Sequence, residues 1–253
     1  MNVQDIKTPN DFIGFLSKHS DFVHESHKEY PKSICGTALK SEVLYILPAT
    51  TDLNNIENYD HLKFVTINNF LIDKKGFEIL EKNKDRFKNV QFLNLWNIKQ
   101  KDLELLKLFP NVKHLLISHI GKTNFPFKGL DHLITIETLI LISANKISDF
   151  NFLSKDQKKP IKHLYITYSK NLTKLDGIED FHNLQTLSLF ASTAESKKAV
   201  TLDNLNGIEN LSNLQYFEID YFRFDLKAMQ IKLKCLKKLK EYKIGKDVYK
   251  NEY

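Results

Sequence analysis

Apolar residues recur along most of the chain in one short frame, apolar-x-x-apolar-x-apolar. It runs through Leu62, Val65, Ile67; Val90, Leu93, Leu95; Val112, Leu115, Ile117; Ile136, Leu139, Leu141; and Ile161, Leu164, Ile166. It continues through Leu184, Leu187, Leu189; Leu214, Phe217, Ile219; and Leu239, Tyr242, Ile244. A degenerate first copy holds Leu44 and Ile46. The starts of the eight clear copies are 28, 22, 24, 25, 23, 30 and 25 residues apart. The second and third apolar positions of each copy alternate with a free position, the period-two pattern of a strand with one buried face. A single copy cannot bury its own apolar stripe. Stacked neighbours join their stripes into one interior, so the pattern predicts a repeat architecture. Parallel pairing at about 4.8 Å per strand would make nine copies roughly 40 Å long.

The segments between the strands vary. Residues 75–87 and 101–109 have helical periodicity. The Gly-Ile-Glu segments after Leu175 and Leu205 predict tighter, 3₁₀ or irregular returns. Residues 8–30 open with proline and carry Phe12, Ile13, Phe15 and Leu16, which predicts a helical N-terminal cap. Leu226, Met229, Leu233 and Leu236 have helical spacing near the other end. The division expected is a cap at 1–40, a solenoid at 41–245 and a C-terminal tail at 246–253.

This frame and its period resemble the leucine-rich-repeat family, in the short type of bacterial and phosphatase-regulator proteins. The second halves Leu175-Asp-Gly-Ile178-Glu-Asp-Phe181-His-Asn-Leu184 and Leu205-Asn-Gly-Ile208-Glu-Asn-Leu211-Ser-Asn-Leu214 carry the likeness further, as does Phe127-Lys-Gly-Leu130-Asp-His-Leu133. The resemblance implies an α/β fold, a right-handed horseshoe solenoid. Its concave side would be a parallel sheet of about 8–9 strands, its convex side helical or irregular. The family places asparagine nine residues into each repeat. Here those positions hold Phe70, Ile98, Ile120, Ala144, Ser169, Ser192 and Phe222, so the family's asparagine ladder is missing and the curvature is open.

Residues between the frame positions face away from the core and line the concave side. The row before the second frame residue holds Phe64, Phe92, His114, Thr138, His163, Thr186, Tyr216 and Glu241. The next row holds Tyr45, Leu116, Ile140, Tyr165, Ser188, Glu218 and Lys243. Beyond it come Trp96, Ile142, Phe190 and Asp220, then Tyr168 and Tyr221. An exposed sheet face is ordinarily polar. A contiguous apolar and aromatic patch marks an interaction surface. The partner-binding set read from these rows is Tyr45, Phe64, Phe92, Trp96, His114, Leu116, Ile140, Ile142, His163, Tyr165, Tyr168, Phe190, Tyr216, Glu218, Asp220 and Tyr221. The plainer alternative is that some of these rings pack on one another. The polar insertion at 191–204 would form a loop beside this face.

Composition narrows the function. The 253 residues are 42% hydrophobic and 27% charged, an ordinary folding mix with no membrane-length apolar run. The first residues lack the pattern of a signal peptide, so a cytoplasmic protein is expected. Cys35 and Cys235 give no disulfide framework and are read as buried thiols. The net charge of +6 is uneven: residues 223–253 hold ten Lys or Arg against four carboxylates, which suits a solvated lysine-rich cap. A nucleic-acid partner needs cations on the contact surface, and the concave rows hold one lysine, Lys243, and no arginine. His19, His24 and His27 have no accompanying ligands for a metal, and no catalytic motif is present. The sequence therefore predicts a monomeric, non-enzymatic module without cofactor or metal, binding another protein and neither membrane nor nucleic acid. An intracellular bacterial inhibitor or immunity protein covering a basic toxin or enzyme is the narrower reading. A bacterial effector or scaffold acting on a host or regulatory protein is the alternative.

Overall fold

The computed structural model describes residues 43–46, 62–68, 74–96, 102–118, 128–132, 134–192 and 199–250. The expected N-terminal helical cap, Cys35, the three N-terminal histidines and the tip of the 191–204 insertion lie outside them, as do the side chains of Tyr45 and Trp96. The strands are β1 Val43–Ile46, β2 Phe64–Asn68, β3 Phe92–Trp96, β4 His114–Ser118, β5 Thr138–Ile142 and β6 His163–Thr167. They continue as β7 Thr186–Phe190, β8 Val200–Thr201, β9 Tyr216–Asp220, β10 Phe222–Arg223, β11 Glu241–Ile244 and β12 Asp247–Lys250.

Ten of these form one sheet in the order β1-β2-β3-β4-β5-β6-β7-β9-β11-β12. All neighbours are parallel except the last pair. The register aligns the frame copy for copy: Leu44, Val65, Leu93, Leu115, Leu139, Leu164, Leu187, Phe217 and Tyr242 form one row. The fold is thus the leucine-rich-repeat-like open solenoid that the spacing predicts.

The frame residues of the described side chains join one continuous core. A second line runs behind them, three residues before each frame start. Phe87, Phe109, Phe181, Leu211 and Leu236 sit there, buried, and their carbonyls accept from the frame-start amides of Val90, Val112, Leu184, Leu214 and Leu239 at 2.9–3.3 Å. Lys158 occupies the same place in its repeat. Its ammonium donates to the Gly177 carbonyl at 2.9 Å, pairs with Asp180 at 3.2 Å and lies over the Phe181 ring. A buried cation is tolerable only with such partners.

The returns confirm some expectations and refine others. Residues 75–87 split into α1, Lys74–Lys82, and a 3₁₀ turn, Lys84–Phe87. Residues 101–109 give a 3₁₀ segment, Glu104–Leu108, rather than an α-helix. Its start is pinned by Gly129, whose φ is +96° and whose missing side chain would sit 2.4 Å from the Leu103 backbone. The Gly-Ile-Glu returns are 3₁₀ turns, Ile178–Asp180 and Ile208–Asn210. A single capped turn, α2, spans Lys155–Lys158. The C-terminal pattern folds as α3, Leu226–Lys234, capped by the Asp225 carboxylate on the Ala228 amide.

The missing asparagine ladder has two replacements. Ala144 and Ser169 are small and buried, and their amides donate to the Thr167 and Phe190 carbonyls of the next repeat. A different ladder stands one residue before the frame starts. Asn111, Asn183 and Asn213 donate to the carbonyls of Lys88, Lys159 and His182, and Thr135 donates to Val112. Two expectations are corrected. Residues placed in a trailing tail return as β12, through a two-residue turn in which Gly245 has φ +60°. Cys235 is exposed, because it follows α3 on the outer side while Leu233 and Leu236 take the inner one.

Candidate protein-binding face

The concave rows are as the register requires: Phe64, Phe92, His114, Thr138, His163, Thr186, Tyr216 and Glu241 are strand-to-strand neighbours. The expectation that the whole row faces water needs correction. Phe64 is 0% exposed, Phe92 4%, Leu116 2% and Ile140 2%. They point away from the main core and are absent from it, so they belong to a second buried layer on the concave side. Thr66, Asn94 and Ser118 are buried with them. Phe64 stacks on Phe92 with centroids 6.3 Å apart, and Phe92 stacks on the His114 ring at 4.5 Å. Rings of adjacent in-register strands stack because strand spacing is near ring-stacking distance.

From β6 onward the face opens. Tyr216 is 46% exposed and Tyr168 40%. His163, Tyr165, Phe190, Glu218, Asp220 and Tyr221 are half-buried, as is Ile142 at the border. At its start, before Phe190, the strand β7 presents the short Thr186 and Ser188 between the taller side chains of β6 and β9. The result is a depression of about 380 Å³ lined by His163, Tyr165, Tyr216, Glu218, Glu241 and Lys243, with Thr186 and Ser188 at its base.

Histidine marks the boundary. His114 Nδ1 lies 3.0 Å from the Thr138 hydroxyl, and His163 Nδ1 lies 3.1 Å from that of Thr186. Burial pushes His114 down to about 4, with the nearby Glu137 carboxylate opposing the shift. Burial also lowers His163, and Lys162 adds to the effect. Both rings are therefore neutral hydrogen-bonding groups near pH 7. Glu137 itself is held low by its hydrogen bond from Lys162 at 2.8 Å, with Lys113 on its other side at 3.8 Å. These strand-start lysines are thus paired with a carboxylate rather than offered to phosphate. Burial raises the Tyr165 hydroxyl to about 12; its bond with Thr186 opposes the rise and the Glu218 carboxylate adds to it.

Tyr168 and Tyr221 follow their strands with φ of +55° and +62°. Ser143 does the same at +60°, so a left-handed residue closes β5, β6 and β9. It carries two of the exposed rings to the rim. Three contributors stand outside the predicted partner-binding set, although Glu241 and Lys243 were already in its rows. Glu241 and Lys243 pair at 3.7 Å inside the depression, and Lys240 lies 5.8 Å from the Tyr216 ring centre. Their rows were visible in the spacing, but the depth created by Thr186 and Ser188 was not. The rear arm of the insertion, β8, pairs with β10 beside this end of the face.

Among the described residues no group of three or more His, Cys, Asp or Glu could hold a metal ion. No described helix is long and apolar enough to cross a membrane. No family model and no curated protein matches the chain. Among solved structures, the fold is similar to an internalin, inlF, from Listeria monocytogenes. The TM-score is 0.54 and the identity 17%, over 81% of this chain and 54% of that one. The chain thus spans about half of that structure, and the likeness is one of fold, of the leucine-rich-repeat type.

Proposed function

We propose that this protein is a non-catalytic scaffold that grips a protein partner on the C-terminal half of its concave face. One observation carries the reading: Tyr165, Tyr168, Phe190, Tyr216 and Tyr221 reach solvent on adjacent strands beside Glu218 and Asp220. Large rings with few rotamers next to charge are the usual anchors of protein interfaces. The residues of the closed half, Phe64, Phe92, Leu116 and Ile140, are buried beside the open half and do not meet the partner. The likeness to an internalin supports a bacterial effector or scaffold acting on a host or regulatory protein over an inhibitor of a toxin. The carboxylates favour a partner with a basic flank beside an apolar centre.

The test is co-purification from the native lysate followed by titration of whatever is retained. Wild type should hold a defined protein partner, and Tyr165→Ala with Tyr216→Ala should release it while the far-ultraviolet circular dichroism stays unchanged. A partner that binds the double variant as tightly as wild type would refute this use of the face.

A further inference from the structure

The depression over β7 has a shape and chemistry more specific than a general binding face. One side wall comes from β6, and the other from β9 with Glu241 and Lys243 of β11 behind it. Two strand spacings put the β6 and β9 backbones about 9.6 Å apart, so the side chains rising from them leave less than the roughly 10 Å that an α-helix needs. Thr186 and Ser188 keep the floor low and supply hydroxyls. Tyr165 and Tyr216 contribute ring surface on opposite sides.

The charge inside is unbalanced. Glu241 is engaged by Lys243, and Asp220 accepts from the Tyr221 amide at 2.7 Å. Glu218 makes no hydrogen bond or ion pair among the described residues, yet it is half-buried and close enough to Tyr165 to help raise the phenol. A carboxylate withdrawn from water without a partner favours a cation that can reach it. The Tyr216 ring already draws Lys240 to its neighbourhood.

We infer that this slot receives the guanidinium of a single arginine side chain presented by the partner. Guanidinium is planar and weakly hydrated. It can lie against a tyrosine ring while donating two parallel hydrogen bonds to the Glu218 carboxylate. An ammonium can satisfy the charge but not the flat contact. The inference rests on the concave-face reading above and names one element of what that face recognises.

The test uses small probes, so it does not depend on finding the partner. Nα-acetyl-arginine methylamide, its lysine counterpart and its norleucine counterpart are titrated into the full-length protein and followed by amide chemical shifts. The arginine probe should move signals of β6, β7 and β9, bind at least threefold tighter than the lysine probe, and outcompete norleucine entirely. Glu218→Gln should weaken it about fivefold, the range of a partly exposed ion pair. Ser188→Trp should fill the slot and abolish the response. Because that change touches a buried position, Glu218→Gln and the lysine comparison carry the test if the tryptophan variant misfolds. Equal binding of arginine and norleucine, equal binding of arginine and lysine, or an unchanged response in Glu218→Gln overturns the inference. If a captured partner is lost from the Tyr165→Ala, Tyr216→Ala variant but kept by Glu218→Gln and Ser188→Trp, the arginine slot is wrong and the binding face stands.

Discussion

The two halves of the concave sheet are built on the same frame and the same register, yet they end in opposite states. From β2 to β5 the outward rows mix apolar and polar residues and are largely buried: Phe64, Phe92, Leu116 and Ile140 have almost no contact with solvent, and neither do Thr66, Asn94 and Thr138. From β6 to β11 the same rows carry tyrosine, threonine and carboxylates that stay partly or fully open, with only Ser188 buried at the floor. Position in the repeat fixes which way a side chain points. It does not fix whether that direction leads to water. In the first half the outward residues act as core and contribute stability. In the second they are available for recognition, and their removal should cost binding instead.

The sharpest test of this division is a pair of truncations. Phe92→Ala should lower stability by about 3–5 kcal/mol, the usual cost of emptying a buried aromatic site. Tyr216→Ala, on the open side of the same row, should cost less than about 1 kcal/mol. Urea unfolding followed by circular dichroism reads both. Similar losses for the two would erase the distinction.

The boundary histidine gives a pH signature of the closed half. His114 is neutral when folded, because burial pushes its pKa down to about 4 from the usual 6.5. The unfolded chain therefore binds more protons between these values. Its contribution is complete above about pH 6.5 and is lost as pH falls toward 4, by up to about 3 kcal/mol. His114→Gln should flatten that part of the stability profile. A wild-type urea midpoint that does not change between pH 7 and pH 4.5 would contradict the burial of this ring.

Binding should follow the opposite map. Tyr165→Ala with Tyr216→Ala should weaken partner affinity about 30-fold, the scale of a 2 kcal/mol hot spot. Isothermal titration with the purified partner measures it. Replacing Glu218 and Asp220 together by lysine should have a smaller effect, about fivefold to tenfold, and mainly on the association rate. That loss should shrink as salt is raised, since half-exposed charges are screened. A salt-independent loss would point to packing rather than charge.

The strands were legible because their signal is repeated. Each copy of the frame alone is six residues with three apolar positions, but eight copies at 22–30 residue spacing leave one reading. The returns were less so. Residues 101–109 have helical periodicity but wind as 3₁₀ over Glu104–Leu108, and the packing of Gly129 on the Leu103 backbone, which fixes where that segment begins, joins residues distant in the chain. The replacement ladder was written as Asn-Leu or Asn-Val before the frame starts, yet asparagine in a turn has many uses, and only the neighbouring carbonyl assigns this one. Lys158 looked like any surface lysine, although it stands where other described repeats place phenylalanine or leucine.

The amino-acid order by itself determined the solenoid, the register and the direction of every concave side chain, because strand alternation is a local property of the backbone. Only the tertiary structure decided which of those side chains meet water. Burial depends on what stands opposite a residue and how tall its neighbours on adjacent strands are, and those neighbours lie more than twenty residues away along the chain.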